Sequence, residues 1–367
     1  MKRRDFVNLS LGASAGLVLA NCQFPSTSAH ASYRGKRLIL IQMEGGHDGL
    51  FAISKLGIKE IESRRPNLMT EFEKNCISLS DDWAINQRLS SLTALIEKKE
   101  LLFIPNVGYQ SPNTSHFKAR EFWDSGLLPN DTNAENRMTG WLGRAYEEKR
   151  ILSQQIEIPF LNLHNNRTLY DRGSNIKALA YTDSDYQDWY TPYYDDYYKS
   201  IDSDLQSYYK KIESFQSFRK ESYSGELGSQ LKTAAQLIQQ EIPIPVIHCT
   251  LAGFDTHSGE LERLTDLYED FSKSLSGLAN DLTQSGHWDE TLVFIYSDFG
   301  RTIDENASGG TDHGYSGLSM IAGGNLNKYK QYNKPNDPKF VEKRGELYLD
   351  FQVDFRDLIQ DITEWLA

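Results

Sequence analysis

Four short apolar runs, each ended by a loop that contains glycine and a polar side chain, constrain the fold of this chain most strongly. The runs lie at 38–41, 101–104, 245–251 and 291–296, and a fifth run lies at 318–322. Continuous apolar runs of this length are typical of strands buried on both faces of a parallel sheet. Helical patterns alternate with them, including an amphipathic stretch over 261–278 and a closing one over 355–366. The alternation predicts an α/β fold with a mostly parallel sheet and helices on both faces.

The polar side chains that follow these runs are candidates for one common site. They are Asp48, Ser115, Asp255, His257, Asp298 and His313. Because ligands bind at the carboxyl ends of the strands in an open α/β sheet, we expect these side chains to converge. Carboxylates combined with imidazoles suit Zn²⁺ or Mn²⁺, whereas oxygen ligands alone would favour Mg²⁺ or Ca²⁺. The pattern therefore predicts a divalent metal site in which Zn²⁺ or Mn²⁺ is favoured.

Taken singly, these motifs leave structural alternatives open. Asp48 suits a turn, and Ser115 suits the N-cap of a helix predicted over 117–123. The same helix start would give a nucleophile at Ser115, or a bound anion, the benefit of free backbone N–H groups. His116 suits either proton transfer or packing. His313 is the most specific candidate, because the glycines on both sides let its ring approach a metal closely.

The remaining histidines and cysteines carry weaker signals. His164 and His287 have no partner motif nearby and are expected to be surface or internally satisfied residues, whereas His248 lies inside a predicted strand and is expected in the core. Cys76 and Cys249 could pair in an oxidising compartment or remain as two free thiols.

The N-terminal segment 1–31 has the pattern of an export signal. Basic residues at 2–4 precede a weakly apolar stretch over 8–20, and Ala29-His30-Ala31 supplies a small-x-small cleavage pattern. Arg3-Arg4, followed by Asp, Phe and Val, resembles the twin-arginine motif. Cys22 in a lipoprotein-like box offers a competing cleavage point, although Asn21 stands where that box prefers Gly or Ala. The segment predicts a periplasmic or secreted protein that is handled by the twin-arginine export machinery, with lipid anchoring at Cys22 as the weaker interpretation.

Composition narrows the classes of partner. Lys and Arg number 39 and Asp and Glu number 51, so the net charge of −12 argues against nucleic acid as a partner. No apolar run after the signal is long enough to span a membrane. We expect residues 32–367 to form a single domain with a Tyr/Asp-rich insertion around 181–215. That insertion suits an amphipathic helix or, alternatively, a lid or binding surface.

The motifs, in this order, resemble the bacterial family called domain of unknown function 1501, which is similar to the alkaline phosphatase and sulfatase superfamily. The resemblance covers nearly the whole chain after the signal and rests on several short motifs. They are Gly45-Gly46-His47-Asp48-Gly49-Leu50, Ser115-His116-Phe117, Gly140-Trp141-Leu142-Gly143-Arg144, Gly253-Phe254-Asp255-Thr256-His257, Asp298-Phe299-Gly300-Arg301 and Gly310-Thr311-Asp312-His313-Gly314.

The resemblance implies an alkaline phosphatase-like fold and a set of roles. Asp48 and Asp298 would bind one divalent ion, and Ser115 would stand at the position of the nucleophile. A second ion would be held by three further residues, Asp255, His257 and His313. The planar fork of Arg301 would hold a non-bridging substrate oxygen. Paired metals of this kind offset the charge that builds up on a phosphoryl or sulfuryl group.

The chain also departs from the family pattern at three places. Asp298 stands where the family often has Glu, and Phe299 where the phosphatase-like pattern has His. His47 stands where the first motif often has Asn, and so offers a nitrogen ligand instead. The leading hypothesis is an exported metal-dependent hydrolase of a phosphate or sulfate ester. The competing hypothesis is a non-catalytic protein of the same fold that uses metal to bind a small anionic ligand or a glycan.

Overall fold

The computed structural model describes residues 32–131, 138–152, 156–164, 170, 172–173, 178–180, 222–332 and 335–367. In chain order, the strands of this described part are β1 (Arg37–Glu44), β2 (Ile53–Lys55), β3 (Cys76–Ser78), β4 (Trp83–Asn86), β5 (Leu101–Gly108), β6 (Phe160–Asn162), β7 (Ala178–Ala180), β8 (Val246–Ala252), β9 (Thr291–Ser297), β10 (Arg301–Glu305), β11 (Thr311–His313), β12 (Gly317–Gly323), β13 (Phe340–Lys343), β14 (Glu346–Leu349) and β15 (Val353–Asp354).

Helices alternate with many of these strands. In the described part they are α1 (Gly49–Ala52), α2 (Lys59–Arg64), α3 (Pro66–Lys74), α4 (Thr93–Glu97), α5 (His116–Ser125), α6 (Trp141–Glu147), α7 (Gly225–Gln239), α8 (Glu260–Gln284) and α9 (Phe355–Leu366). Short 3₁₀ helices lie at Gln87–Leu92, Trp288–Glu290 and Asn327–Tyr332. The predicted closing helix over 355–366 is confirmed with the same bounds.

Eight strands form the main sheet, in the order β15-β5-β12-β9-β1-β8-β6-β7. Strand β1 is parallel to both of its neighbours, β8 and β9. Strand β12 is antiparallel to β5 and to β9 and is the exception in a sheet that is otherwise parallel. The predicted α/β fold with a mostly parallel sheet is therefore confirmed. The five apolar runs described above form strands β1, β5, β8, β9 and β12.

The two faces of the sheet carry separate hydrophobic cores. Along β1, Ile39, Ile41 and Met43 point into a core that α7 and α8 cover. The alternate residues Leu38 and Leu40 point into the other core, which α5, α6 and α9 cover. Because successive side chains of a strand point to opposite faces, a strand that is apolar at every position must be covered on both sides. The prediction of helices on both faces is confirmed.

Some predictions concern residues outside the described part of the chain. The signal segment 1–31 and the Tyr/Asp-rich insertion around 181–215 lie there, so the division into a signal and a single domain stays a prediction. Within the described residues, Cys76 and Cys249 are both free thiols. None of the described helices has the length and apolar character that a membrane crossing requires.

Candidate metal centre

The topology brings three of the predicted polar loops together. Strands β9, β1 and β8 are adjacent and parallel, so their carboxyl ends lie at the same edge of the sheet. Asp255 and His257 follow β8, and Asp298 directly follows β9. Strand β11 ends at His313, which pairs with Arg301 of β10 in the small sheet beside this edge. The expected convergence of these loops is therefore seen in the fold.

Four donor atoms meet at this edge of the sheet. The Nε2 atom of His313 lies 3.1 Å from Nε2 of His116, 2.9 Å from Nε2 of His257 and 3.2 Å from Oδ1 of Asp255. The same Asp255 oxygen lies 3.1 Å from Nε2 of His257 and 3.7 Å from Nε2 of His116. Ligand atoms of a tetrahedral Zn²⁺ site, with bonds of about 2.0 to 2.1 Å, are about 3.3 Å apart. The separations of Asp255 and His313 from each other and from both other imidazoles, 2.9 to 3.7 Å, bracket the spacing around an ion of that size.

Each of the three imidazoles is held through its other ring nitrogen. His116 Nδ1 lies 2.7 Å from Oδ2 of Asp298, and His257 Nδ1 lies 2.7 Å from Oδ1 of Asp312. His313 Nδ1 lies 2.8 Å from the backbone oxygen of Thr114. Histidine ligands of metals usually donate their second N–H to a carboxylate or a carbonyl in this way, which fixes the tautomer and the ring orientation.

These contacts fix where the imidazole lone pairs point. A carbonyl oxygen only accepts, so His313 donates from Nδ1 to Thr114, and the Nε2 of its neutral ring carries a lone pair. Donation from Nδ1 of His116 to Asp298 leaves a second lone pair 3.1 Å from the first. Two lone pairs at that distance repel each other unless a proton or a cation lies between them. The donor set therefore suits a divalent metal that favours imidazole nitrogen, as Zn²⁺ and Mn²⁺ do within mixed N/O sets.

The charge state of the ligands suits the same chemistry. Burial lowers the pKa of His313, and the nearby charges of His116 and Arg301 act in the same direction, so the ring favours the neutral form that binds metals. Burial alone would raise the pKa of Asp255. The hydrogen bond and charge of Arg301 outweigh that effect and lower the pKa to about 2, so Asp255 is a carboxylate at neutral pH.

Arg301 bonds to protein oxygens beside the cluster of donor atoms. Its side chain is fully enclosed, and its three nitrogens donate to Gly46 O, Thr311 O, Phe254 O and Gly45 O as well as to Asp255 Oδ1. The guanidinium therefore presents no surface to solvent. Arg301 therefore links the Gly45–Gly46 turn to the Asp255 loop. Its expected contact with a substrate oxygen stays a prediction.

Asp48 does not join the cluster of donor atoms. Its Oδ2 accepts from Arg65 Nη1 at 2.7 Å, and both side chains are almost completely buried. Arg65 also donates to the backbone oxygens of Ile303 and Thr302. The backbone oxygen of Asp48 accepts from Tyr268. The carboxylate to which the resemblance assigns a metal-ligand role therefore forms an ion pair with Arg65 in this structure.

Asp298 and Phe299 support the imidazoles rather than a second ion. Asp298 is buried, and the same Oδ2 that accepts from His116 lies 3.4 Å from the backbone nitrogen of Gly45. The Phe299 ring packs against His116 and His313, with ring centroids 4.7 and 4.8 Å apart. The structure thus places an apolar wall where the phosphatase-like pattern has a histidine ligand.

Ser115 lies at the rim of the cluster. It is the exposed N-cap residue of α5 and its side chain makes no capping hydrogen bond. Its chain neighbours both contact the cluster, Thr114 through the backbone oxygen that holds His313 and His116 through its own ring. Ser115 therefore stands between two residues that contact the cluster, at the start of a ten-residue helix. This location is compatible with the nucleophile role that the resemblance implies.

The glycine before Thr311 is needed for the close approach of the loop that carries His313. A Cβ atom on Gly310 would lie 2.3 Å from the backbone oxygen of Thr256. Only glycine lets the 309–314 loop reach the segment that carries His257. The expectation that the flanking glycines let the His313 ring approach a metal closely stays a prediction.

His116 is the ligand candidate that sequence reasoning ranked too low, since it was assigned only proton transfer or packing. The available signal was its position directly after Ser115 in a loop at a strand end. His47, an alternative nitrogen ligand, is buried and bonds through Nε2 to Tyr268 at 3.0 Å, so it does not reach the cluster. His248 lies in the core as expected, and His164 is buried against it, with Nε2 2.7 Å from Nδ1 of His248.

Fold and site together define an α/β protein with an imidazole- and carboxylate-lined centre at the carboxyl edge of a mostly parallel sheet. The chain belongs to the family described as "Protein of unknown function (DUF1501)", whose model matches residues 35–342. The search of the curated proteins finds no match.

Three solved structures match this chain at low sequence identity, and one of them is described as a protein in the alkaline phosphatase superfamily. A superfamily member from Vibrio parahaemolyticus shares 9% identity over 91% of this chain and 67% of its own, with a TM-score of 0.44. The C-terminal periplasmic domain of EcEptC from Escherichia coli, in complex with Zn, shares 12% over 80% and 74%, with a TM-score of 0.42. The lipoteichoic acid synthase LtaP from Listeria monocytogenes shares 12% over 80% and 66%, with a TM-score of 0.37.

Proposed function

We propose that this protein is an exported metal-dependent hydrolase of a phosphate or sulfate ester, with Ser115 as its nucleophile. The observation that carries the proposal is the meeting of His116, His257, His313 and Asp255 at 2.9 to 3.7 Å, with all three rings held through Nδ1. A set of three imidazoles and one carboxylate favours Zn²⁺ or Mn²⁺ over Ca²⁺ or Mg²⁺.

The proposed reaction gives a separate role to the metal ligands, to Ser115 and to the groups that hold the imidazole rings. A bound divalent ion acts as a Lewis acid that offsets negative charge on the ester and eases ionisation of a hydroxyl. Ser115 presents its hydroxyl at the start of α5, where the first backbone N–H groups lack helical partners and the helix dipole favours an anion. Asp298, Asp312 and the Thr114 carbonyl hold the three rings in the tautomer that can bind a cation.

Local positive groups would have to attract the substrate, because the net charge of −12 opposes an anionic ester. Lys118 and Arg120 lie within two turns of Ser115, and both are at least partly exposed. Arg120 also forms an ion pair with Glu44 at 3.3 Å, at the carboxyl end of β1. These cations and the helix start supply the favourable field at the rim of the site.

The proposal is tested by turnover and metal content measured together. The full chain, loaded with Zn²⁺ or Mn²⁺, is assayed on aryl phosphates and aryl sulfates beside Ser115→Ala and Ser90→Ala, an exposed serine on a distant 3₁₀ helix. We expect Ser115→Ala to lose at least about 10³-fold in kcat while it retains its metal, and Ser90→Ala to match the native protein. Bound metal without turnover of any ester would reject the hydrolase.

A second candidate function is metal-dependent binding of an anionic ligand or glycan without catalysis. Phe117, on the first turn of α5 next to Ser115, is 80% exposed, and an exposed aromatic ring suits the apolar face of a sugar. Affinity separates the two candidates. If Ser115→Ala leaves glycan affinity unchanged, His313→Ala abolishes it and no ester is turned over, binding is the function.

The location of the protein is part of the proposal. We infer export through the twin-arginine machinery to the periplasm or the medium from the pattern of residues 1–31. Mass determination of the N-terminus of the exported protein tests it. A chain that begins at Ser32 supports cleavage after Ala31, whereas a lipid-modified Cys22 supports anchoring. An unprocessed cytoplasmic chain would refute export.

A further inference from the structure

The structure bears on how many ions the site holds. The resemblance implied two ions, one of them bound by Asp48 and Asp298. His116, Asp255 and His313 form a group of potential ligands whose atoms all lie within 4.8 Å of one another. His257 adds a fourth donor atom through its contacts with two of them.

The carboxylate of Asp48 is already neutralised by a protein cation. Arg65 Nη1 lies 2.7 Å from Asp48 Oδ2, with side-chain exposures of 0% and 1%. Arg65 is fixed from behind by the backbone oxygens of Ile303 and Thr302, at 3.0 and 2.6 Å. A dication at Asp48 would have to stand next to a buried guanidinium that has no route to solvent, which is strongly unfavourable in a medium of low polarity.

Asp298, the other ligand expected for the ion at Asp48, and Phe299, at the position where the phosphatase-like pattern has a histidine, both have other contacts. Asp298 Oδ2 accepts from His116 Nδ1 at 2.7 Å, and His116 turns its Nε2 toward the donor cluster. Position 299 is a buried phenylalanine whose ring packs on His116 and His313 and offers no ligand atom. Asp298 and Phe299 therefore both serve to orient imidazoles of the single cluster.

We propose that this chain binds one divalent ion, held by His116, His257, His313 and Asp255, and that the buried Arg65 guanidinium takes the place of a second ion at Asp48. The inference rests on the metal site of the proposed function but not on the role of Ser115. In this arrangement His116 is a metal ligand. The carboxylate of Asp48 pairs with Arg65, and the carboxylate of Asp298 orients the His116 ring.

Metal stoichiometry tests this without any activity assay. The full chain is stripped with chelator, titrated with Zn²⁺ alone by calorimetry, and its metal content is measured by atomic emission. We expect one ion per chain for the native protein and for Asp48→Asn. We expect at least a 100-fold weaker Zn²⁺ affinity in His116→Ala and an unchanged affinity in His287→Ala, a histidine outside the cluster.

Cobalt provides a second readout that does not depend on affinity alone. Co²⁺ replaces Zn²⁺ in such sites, and its visible absorption reports the ligand set. We expect the Co²⁺ spectrum of the native chain to change in His116→Ala and to persist in Asp48→Asn. Circular dichroism of each variant shows whether it is folded, and a fold-retaining His116→Gln replaces the alanine variant if that one is not.

Each result separates this inference from the proposed function. Two ions per chain, with one lost in Asp48→Asn, would overturn the single-ion inference and leave the hydrolase proposal standing. If the chain binds one ion, and its Zn²⁺ affinity and Co²⁺ spectrum are the same in the native protein and in the His116 variants, the ligand assignment is overturned. Absence of any specific Zn²⁺ or Co²⁺ binding would overturn both this inference and the metal-dependent function.

Discussion

The Nδ1 atom of His116 lies 2.7 Å from the Oδ2 atom of Asp298, although 182 residues separate the two in the chain. The buried carboxylate turns the opposite nitrogen of the ring toward His313 and Asp255. A residue that directly follows β9 thereby sets the direction in which a residue of α5 offers its lone pair.

Replacement of that carboxylate should weaken metal binding without unfolding the protein. In Asp298→Asn the amide makes a weaker hydrogen bond to His116 and no longer fixes its tautomer, so we expect a 10- to 100-fold loss of Zn²⁺ affinity. Competition with a chromophoric chelator measures it. Asp266→Asn, an exposed position on α8, serves as the control. Equal affinities in native protein and Asp298→Asn would contradict the orienting role.

We expect replacement of Arg301 to lower the free energy of unfolding rather than to weaken a substrate contact. Arg301→Lys removes the planar fork that holds Gly46, Thr311, Phe254 and Asp255 and leaves several buried acceptors without donors. We expect a loss of about 3 kcal/mol or more in the free energy of unfolding, measured with urea. The exposed Arg263→Lys should cost almost nothing. A stable Arg301→Lys variant with a raised KM would instead favour the substrate contact.

The buried carboxyls of Asp48 and Glu260 should respond in opposite ways to conversion to amides. Burial, reinforced by the charge of Asp48, raises the pKa of Glu260 well above its ordinary value and so favours its neutral form. Glu260→Gln exchanges one neutral group for another, and we expect a change below about 1 kcal/mol. Asp48→Asn leaves Arg65 as an unpaired buried charge, and we expect a cost of about 3 to 5 kcal/mol.

Urea unfolding at pH 7 of the two variants, side by side, checks this. The two side chains lie in one buried cluster, so each variant controls for the other. A larger cost for Glu260→Gln than for Asp48→Asn would show that the charge lies on Glu260.

The buried pair of His164 and His248 should make the protein less stable in mild acid. Burial lowers the pKa of His164 to about 4 and lowers that of His248 well below its ordinary value of 6.5. As pH falls through 6.5 the unfolded chain takes up protons that the folded chain refuses, so stability present above pH 6.5 is lost progressively toward pH 4. The ring of His164 contributes up to about 3 kcal/mol over that window, and His248 acts in the same direction.

The free energy of unfolding, measured from pH 7.5 to pH 4.5 for native protein and His164→Gln, tests this. We expect the slope of the variant to be shallower than the native slope by the share of one titrating group. Identical slopes would mean that His164 is not a neutral buried group.

The local pattern of the chain was sufficient to predict the strands and their carboxyl-end loops. Apolar runs at 38–41 and 291–296 became the adjacent strands β1 and β9 because a run without polar positions can only be buried on both faces. Asp255, His257 and His313 were selected by residue type and by position after a strand, and the sheet topology brought them together. These features depend on burial and chain direction, which a sequence carries locally.

Only the tertiary structure decides which ring nitrogen of each histidine faces the donor cluster and which buried charged side chains pair. Asp48 pairs with Arg65, the Arg301 side chain turns inward to five protein oxygens, and His116 Nδ1 faces Asp298. The antiparallel direction of β12 was set in the same way, by pairing with β5 and β9. Each of these outcomes depends on contacts between segments tens to hundreds of residues apart, and the strength of a buried charge or hydrogen bond depends on the partner that the tertiary structure supplies.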